Sequence, residues 1–129
     1  MENEIWAPVD GYNGFYEISN LGRVRSLKRT IKIGNIYRTV PEKMIFLSKN
    51  ELGYVVVCLC REGKMKTKRV ARLVGIAFIP NPDNLPEINH KRGIKEDNRA
   101  TELEWSSISD NRKHAWRLGL NKGNTRKVF

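Results

Sequence analysis

Ile88-Asn89-His90, Lys91-Arg92-Gly93, Leu103-Glu104-Trp105 and Ser107-Ile108-Ser109-Asp110-Asn111 decide the fold. A polar Asn89-His90 pair closes a short apolar stretch. A loop containing Gly93 follows, then a short strand. Ser107 with Asp110 three residues on is a capping-box-like start for a last helix. That helix brings Asn111 back toward His90. Ile108, Asn111, Ala115 and Leu118 are spaced i, i+3, i+7, i+10, which predicts one stripe with a lone polar residue on the core side. A buried amide must find partners. His90 is one of only two histidines. At neutral pH an imidazole held in one tautomer can take a proton from water.

Working outward, Tyr12-Asn13-Gly14 reads as a turn and Phe15 to Ser19 as a strand. Asn20-Leu21-Gly22 reads as a tight turn and Arg23 to Leu27 as a second strand, with Val24 facing away from Arg23 and Arg25. Lys28 to Glu42 is basic and loosely patterned, with Gly34 and Pro41 as breakers, and reads as a flexible hairpin or loop. A β-meander is expected next. Its strands are Met44–Leu47, Tyr54–Cys60 and Lys66–Val70, with turns at Asn50–Gly53 and Arg61–Lys64. Leu73, Val74 and Ala77 have helical spacing, and Pro80 and Pro82 stop that helix near Phe78. Gly119 is a plausible helix cap, and Lys122, Arg126 and Lys127 mark a basic tail.

The 129 residues carry 24 Lys+Arg against 14 Asp+Glu, a formal net charge of +10. A charge of that size on a short chain points to a polyanionic partner, nucleic acid first. No stretch approaches the ~20 apolar residues of a membrane span. The acidic start, Met1-Glu2-Asn3-Glu4, lacks a signal-peptide core, so a cytoplasmic location is expected, in the host if the chain is phage-encoded. Cys58 and Cys60 sit two apart, with side chains on one side of a strand, poor geometry for a mutual disulfide. Without a CxxC pair a zinc ribbon is excluded. Both are expected as buried core thiols.

Two sets of residues resemble known nucleases. The run from Asn89-His90 through Leu103-Glu104-Trp105 to Asn111 resembles the HNH endonucleases of phage and intron-encoded homing enzymes. Arg72-Leu73-Val74 running into Phe78-Ile79-Pro80-Asn81-Pro82 matches the same group. Trp6, Gly11-Tyr12, Gly14, Tyr16 to Asn20, Gly22-Arg23-Val24 and Ser26-Leu27 resemble the nuclease-associated module that precedes many HNH domains.

The resemblance implies an α+β fold: a small antiparallel β module and a β-meander, then a ββα-metal (HNH) unit. It implies residues 1–43 as a DNA-binding module with a basic loop, 44–120 as the nuclease domain and 121–129 as a basic tail. His90 would be the general base. Asn89 and Asn111 would hold one divalent ion, and two neutral amide oxygens suit Mg²⁺ or Mn²⁺. His114 is an auxiliary candidate. The family usually has Asp where Arg92 stands, Asn at Asp97 and Glu102, and His at Ala71. The residue at Glu102 normally ties the loop that orients the histidine. Arg92 and Glu102 therefore read as a charge swap that pairs across the loop. Arg23, Arg25, Lys28 and Arg29 in the first module, with Arg112 and Lys113 on the last helix, are the candidate DNA contacts.

Three functions fit these residues: a metal-dependent DNA endonuclease, a DNA-binding protein on the same scaffold that has lost cleavage, and a basic RNA-binding protein. Recognition sequence, nicking against double-strand cleavage, and oligomeric state are not encoded in any motif.

Overall fold

Turn chemistry sets up the N-terminal sheet. In this computed structural model, which describes residues 3–118, strand β1 (Trp6–Pro8) pairs antiparallel with β2 (Tyr16–Ser19), and β2 with β3 (Val24–Ser26). The Ser19 hydroxyl accepts from the backbone N–H of Leu21 and Arg23, at 3.2 and 3.0 Å, and so closes the turn between β2 and β3. Gly22 sits there at φ +89°, a left-handed conformation that disfavours any Cβ.

The basic stretch folds as a hairpin, β4 (Arg29–Ile33) against β5 (Ile36–Val40). Next comes β6 (Lys43–Met44), which pairs with β3, so the first sheet has the order β1-β2-β3-β6. The single strand expected over 44–47 is therefore divided. Met44 joins the N-terminal sheet, because the outer edge of β3 offers free backbone groups. The Phe46 side chain is exposed, and the meander begins only at β7 (Ser48–Lys49), followed by β8 (Val55–Arg61) and β9 (Lys64–Arg69).

The cysteines are not core thiols. On β8, Val57 and Leu59 point into the core, and alternation puts Cys58, exposed, and Cys60, half-buried, on the other face.

Helix α1 (Val70–Phe78) is followed by β10 (Glu87–His90), a 3₁₀ turn (Ala100–Glu102), β11 (Leu103–Ser106) and α2 (Ile108–Arg117). Strand β10 pairs with β11 in the register Glu87↔Ser106 to His90↔Leu103. One core joins these parts. Ile18 and Val24 from the first sheet meet Val57 and Leu59 of β8, Val70, Leu73 and Val74 of α1, and Leu103 of β11. Each large side chain so buried is worth roughly 1.5–3 kcal/mol.

Gly75 lets α1 lie directly on the β10–β11 hairpin. A Cβ there would stand 2.5 Å from Ile88 Cδ1 and 3.1 Å from the Trp105 ring. The Trp105 indole N–H donates to the Ile79 carbonyl at 3.0 Å, which pins the hairpin to the end of α1.

Helix α2 departs from the expected buried stripe. None of its residues is buried, and Ile108 is 49% and Leu118 42% exposed. It is held by polar contacts and its cap, Ser107 Oγ accepting from Asp110 N–H at 3.1 Å, as the capping pattern predicts. Gly119 and the basic tail lie outside the described residues.

Candidate active site

Strand β10 delivers Asn89 and His90 at its C-terminal end, and α2 returns Asn111 and His114 beside them. All four side chains line one open cleft of about 200 Å³, with Tyr54 and Lys95 on its wall.

His90 is buried, and its Nε2 lies 2.8 Å from the Asn98 side-chain oxygen. With that oxygen as acceptor, Nε2 carries the proton and Nδ1 keeps its lone pair. Burial holds the imidazole below its ordinary value. The Asn98 bond and Asp97 oppose this less strongly, while Lys95 and Arg69 add to it. The neutral, proton-accepting form therefore dominates at neutral pH.

The partner that orients His90 is Asn98, not Glu102. Glu102 does pair with Arg92 across the loop, Oε1 to Nε at 2.8 Å. Arg92 also reaches Asp97 at 2.6 Å, and Asp97 is bound by Arg99 at 2.7 Å. These ion pairs bracket Asn98, and they hold the Asp97 carboxyl down at about 2, chiefly through the Arg99 hydrogen bond. The N-terminal module braces the same loop. A Cβ on Gly22 would come within 3.1 Å of Asn98 Cβ, and Ala100 N–H donates to the Asn20 carbonyl at 2.8 Å. Sequence reasoning missed Asn98, although an asparagine eight residues beyond His90, between Asp97 and Arg99, marked it as a loop tie.

Asn111 is half-buried, and its Nδ2 donates to Glu87 Oε1 at 2.9 Å, which leaves its oxygen free. The buried Asn89 side chain makes no hydrogen bond to any described residue. Two amide groups with uncommitted oxygens beside His90 fit a hard divalent ion. Among the described residues no group of three His, Cys, Asp or Glu could hold a metal, so an ion in this cleft would have to draw on these amides. His114 is tied down by its own contact, Nε2 to the Lys91 carbonyl at 2.7 Å.

The candidate DNA contacts divide in two. Arg23 pairs with Glu4, and Arg25 pairs with Glu17 at 2.6 Å and faces Glu42 at 3.9 Å. Arg29 packs on Phe15 and Tyr16. Lys28, Arg112 and Lys113 have no such partners among the described residues. Two cations absent from the sequence reading flank His90. Arg69 lies 4.1 Å from the centre of the Tyr54 ring and Lys95 4.8 Å from it, and the Tyr54 ring is 6.0 Å from His90. The end of β9, the start of β8 and the loop after β10 bring these residues together at the cleft.

A β-hairpin carrying Asn89 and His90, crossed by a helix carrying Asn111, is the arrangement of the ββα-metal class of nuclease site. The chain belongs to the HNH homing endonuclease family, and the NUMOD4 motif matches residues 4–60. It is 34% identical over 102 residues to the DNA endonuclease I-HmuI of Bacillus phage SP01, an alignment covering 78% of this chain and 51% of that protein. It is 34% identical over 113 residues to the uncharacterized HNH endonuclease L245 of Acanthamoeba polyphaga mimivirus, covering 88% of this chain and 30% of that protein. The solved structure titled "DNA binding and cleavage by the HNH homing endonuclease I-HmuI" superposes with a TM-score of 0.72 at 32% identity, over 99% of this chain and 66% of that one. The chain thus spans about a third to a half of the curated relatives it matches.

Proposed function

We propose that this chain is a metal-dependent DNA endonuclease in which His90 activates water for attack on a phosphodiester. The observation that carries this reading is the His90–Asn98 bond, which leaves Nδ1 a free base in a cleft also lined by Asn89 and Asn111. His90 Nδ1 accepts a proton from water, the water oxygen bonds to phosphorus, and the bond to the leaving deoxyribose oxygen breaks. Asn98 and the Arg92–Asp97–Arg99 pairs keep the ring in one orientation. Asn89 and Asn111 would hold a divalent ion, Mg²⁺ or Mn²⁺, and when bound that ion supplies charge stabilisation at the phosphate and the leaving oxygen.

Arg69, Lys95 and Arg112 line or border the cleft and, with Lys113 of α2, would grip DNA phosphates. Residues 1–43 would serve as the DNA-gripping module, 44–120 as the nuclease unit and 121–129 as a basic tail, with the first sheet also steadying the loop around Asn98. The phage and giant-virus sources of the relatives support action in the host cytoplasm.

The test is nicking of supercoiled plasmid by wild type and His90→Ala, with Mg²⁺ and with EDTA. Metal-dependent nicking that disappears in His90→Ala is expected. The neutral ligand pair favours a second reading, DNA binding without cleavage. Retained DNA affinity with no nicking at any Mg²⁺ or Mn²⁺ concentration would establish that reading instead.

A further inference from the structure

Glu87 has no place in the sequence reading of the site, yet its carboxylate is the group that touches Asn111. It lies two residues before Asn89 on β10, so the two side chains leave the strand on the same side. An amide is nearly symmetrical in shape, and without a partner it presents oxygen or nitrogen to the cleft with similar ease. Only the oxygen can bind a cation. A carboxylate accepts and cannot donate, so Glu87 selects the orientation in which Nδ2 points at itself and Oδ1 points away. The electrostatics act in the same direction. The cleft is bordered by Lys95, Arg112, Arg69 and Arg72, and both amides are neutral.

We propose that Glu87 is a positioning residue that turns the Asn111 oxygen toward a divalent cation and offsets the positive charge of the cleft. This rests on the nuclease reading above. Glu104 supplies an internal control. It stands opposite Asn89 in the register, and its side chain has no polar partner among the described residues.

The test is Mn²⁺ binding by the whole protein, followed by loss of the free-ion EPR signal with and without DNA, beside single-turnover nicking. Glu87→Ala should weaken Mn²⁺ binding about 10-fold and lower kcat while leaving KM for DNA unchanged, as loss of an outer partner to a metal ligand does. Glu87→Gln loses the charge and can donate as well as accept, so it should fall between wild type and Glu87→Ala. Glu104→Gln should match wild type. Melting midpoints within a degree or two of wild type confirm that the variants fold. Unchanged Mn²⁺ affinity in Glu87→Ala overturns the proposal while leaving the nuclease reading intact. So does a Glu87→Gln variant that binds Mn²⁺ as tightly as wild type, or a Glu104→Gln variant that loses as much as Glu87→Ala. If wild type binds no Mn²⁺ and does not nick, the nuclease reading falls and this inference with it.

Discussion

Both the N-terminal sheet and the cleft pack cations against an aromatic ring, and the two clusters differ in their counter-charges. Arg25 lies 4.1 Å from the centre of the Trp6 ring and Arg23 5.7 Å from it, and each has a carboxylate of its own: Glu17 and Glu42 for Arg25, Glu4 for Arg23. Arg69 stacks just as closely on Tyr54, with no carboxylate in ion-pair contact among the described residues. The Lys95 ammonium reaches only the Leu52 carbonyl at its tip and Glu96 belongs to Lys49. A guanidinium already satisfied by its own chain gives up that partner when it binds a phosphate. An unpaired guanidinium held by a ring is ready for one. The unpaired cations of the cleft are therefore freer to take up a phosphate than the partnered arginines of the strand.

The most drastic way to sharpen this contrast is at the base itself. His90→Ala should lose about 100-fold or more in single-turnover cleavage and keep its DNA affinity. An equal loss of affinity would move His90 from the chemistry to the binding surface.

Gly22 tests whether the partnered region supports the cleft at a distance. Gly22→Ala places a Cβ at φ +89° and against Asn98. It should cost about 1–2 kcal/mol of stability, measured by urea unfolding, and slow cleavage at temperatures where the variant is fully folded. Normal cleavage by the folded variant would show that the first sheet does not govern the His90 loop.

Salt dependence tests the charge contrast itself. Neutralising Arg69 and Arg112 together should flatten the slope of log affinity against log salt by about two units. Neutralising Arg23 and Arg25 should change it by less than about one unit. Equal slopes for the two pairs would abolish the distinction and restore the N-terminal strand as a principal phosphate contact.

The smallest effect lies in acid. The folded Asp97 carboxyl stands at about 2 against an ordinary value of 3.8. Its depressed value contributes stability above 3.8, and that contribution is lost as pH falls from there through about 2. Asp97→Asn should therefore flatten the acid limb of a stability-against-pH curve in that window. Because Arg92 and Arg99, its partners, are 54% and 41% open to solvent, the change is modest. A wild-type curve already flat between pH 4 and 2 would remove Asp97 from the bracket around Asn98.

The resemblance to HNH nucleases singled out His90 and Asn89, and helical spacing singled out Asn111. Two strands, a loop and a capped helix follow one another within two dozen residues, and their order leaves few ways to fold. The Arg92–Glu102 pair was legible for the same reason, since opposite charges stood at the two ends of one loop. Alternation along β2 and β3 and the helical spacing of α1 were equally local. Cys58 and Cys60 show where composition misleads: an apolar run looks buried throughout, while a strand with one face on the core buries only alternate residues.

The sequence alone was enough for most of the elements and for the return of Asn111 toward His90, because periodicity, turn residues and capping act over a few residues. His90 and Asn89 were picked out by the family resemblance. Only the tertiary structure decided which side chains complete the site. Asn98 reaches His90 because the loop closes over it under Gly22. Glu87 meets Asn111 because α2 crosses β10. Arg69 and Lys95 share one Tyr54 ring because β9, β8 and the loop after β10 converge there. Each of these contacts joins residues from separate elements or across a closed loop, and burial and hydrogen bonding choose such partners only when the core has brought the elements together.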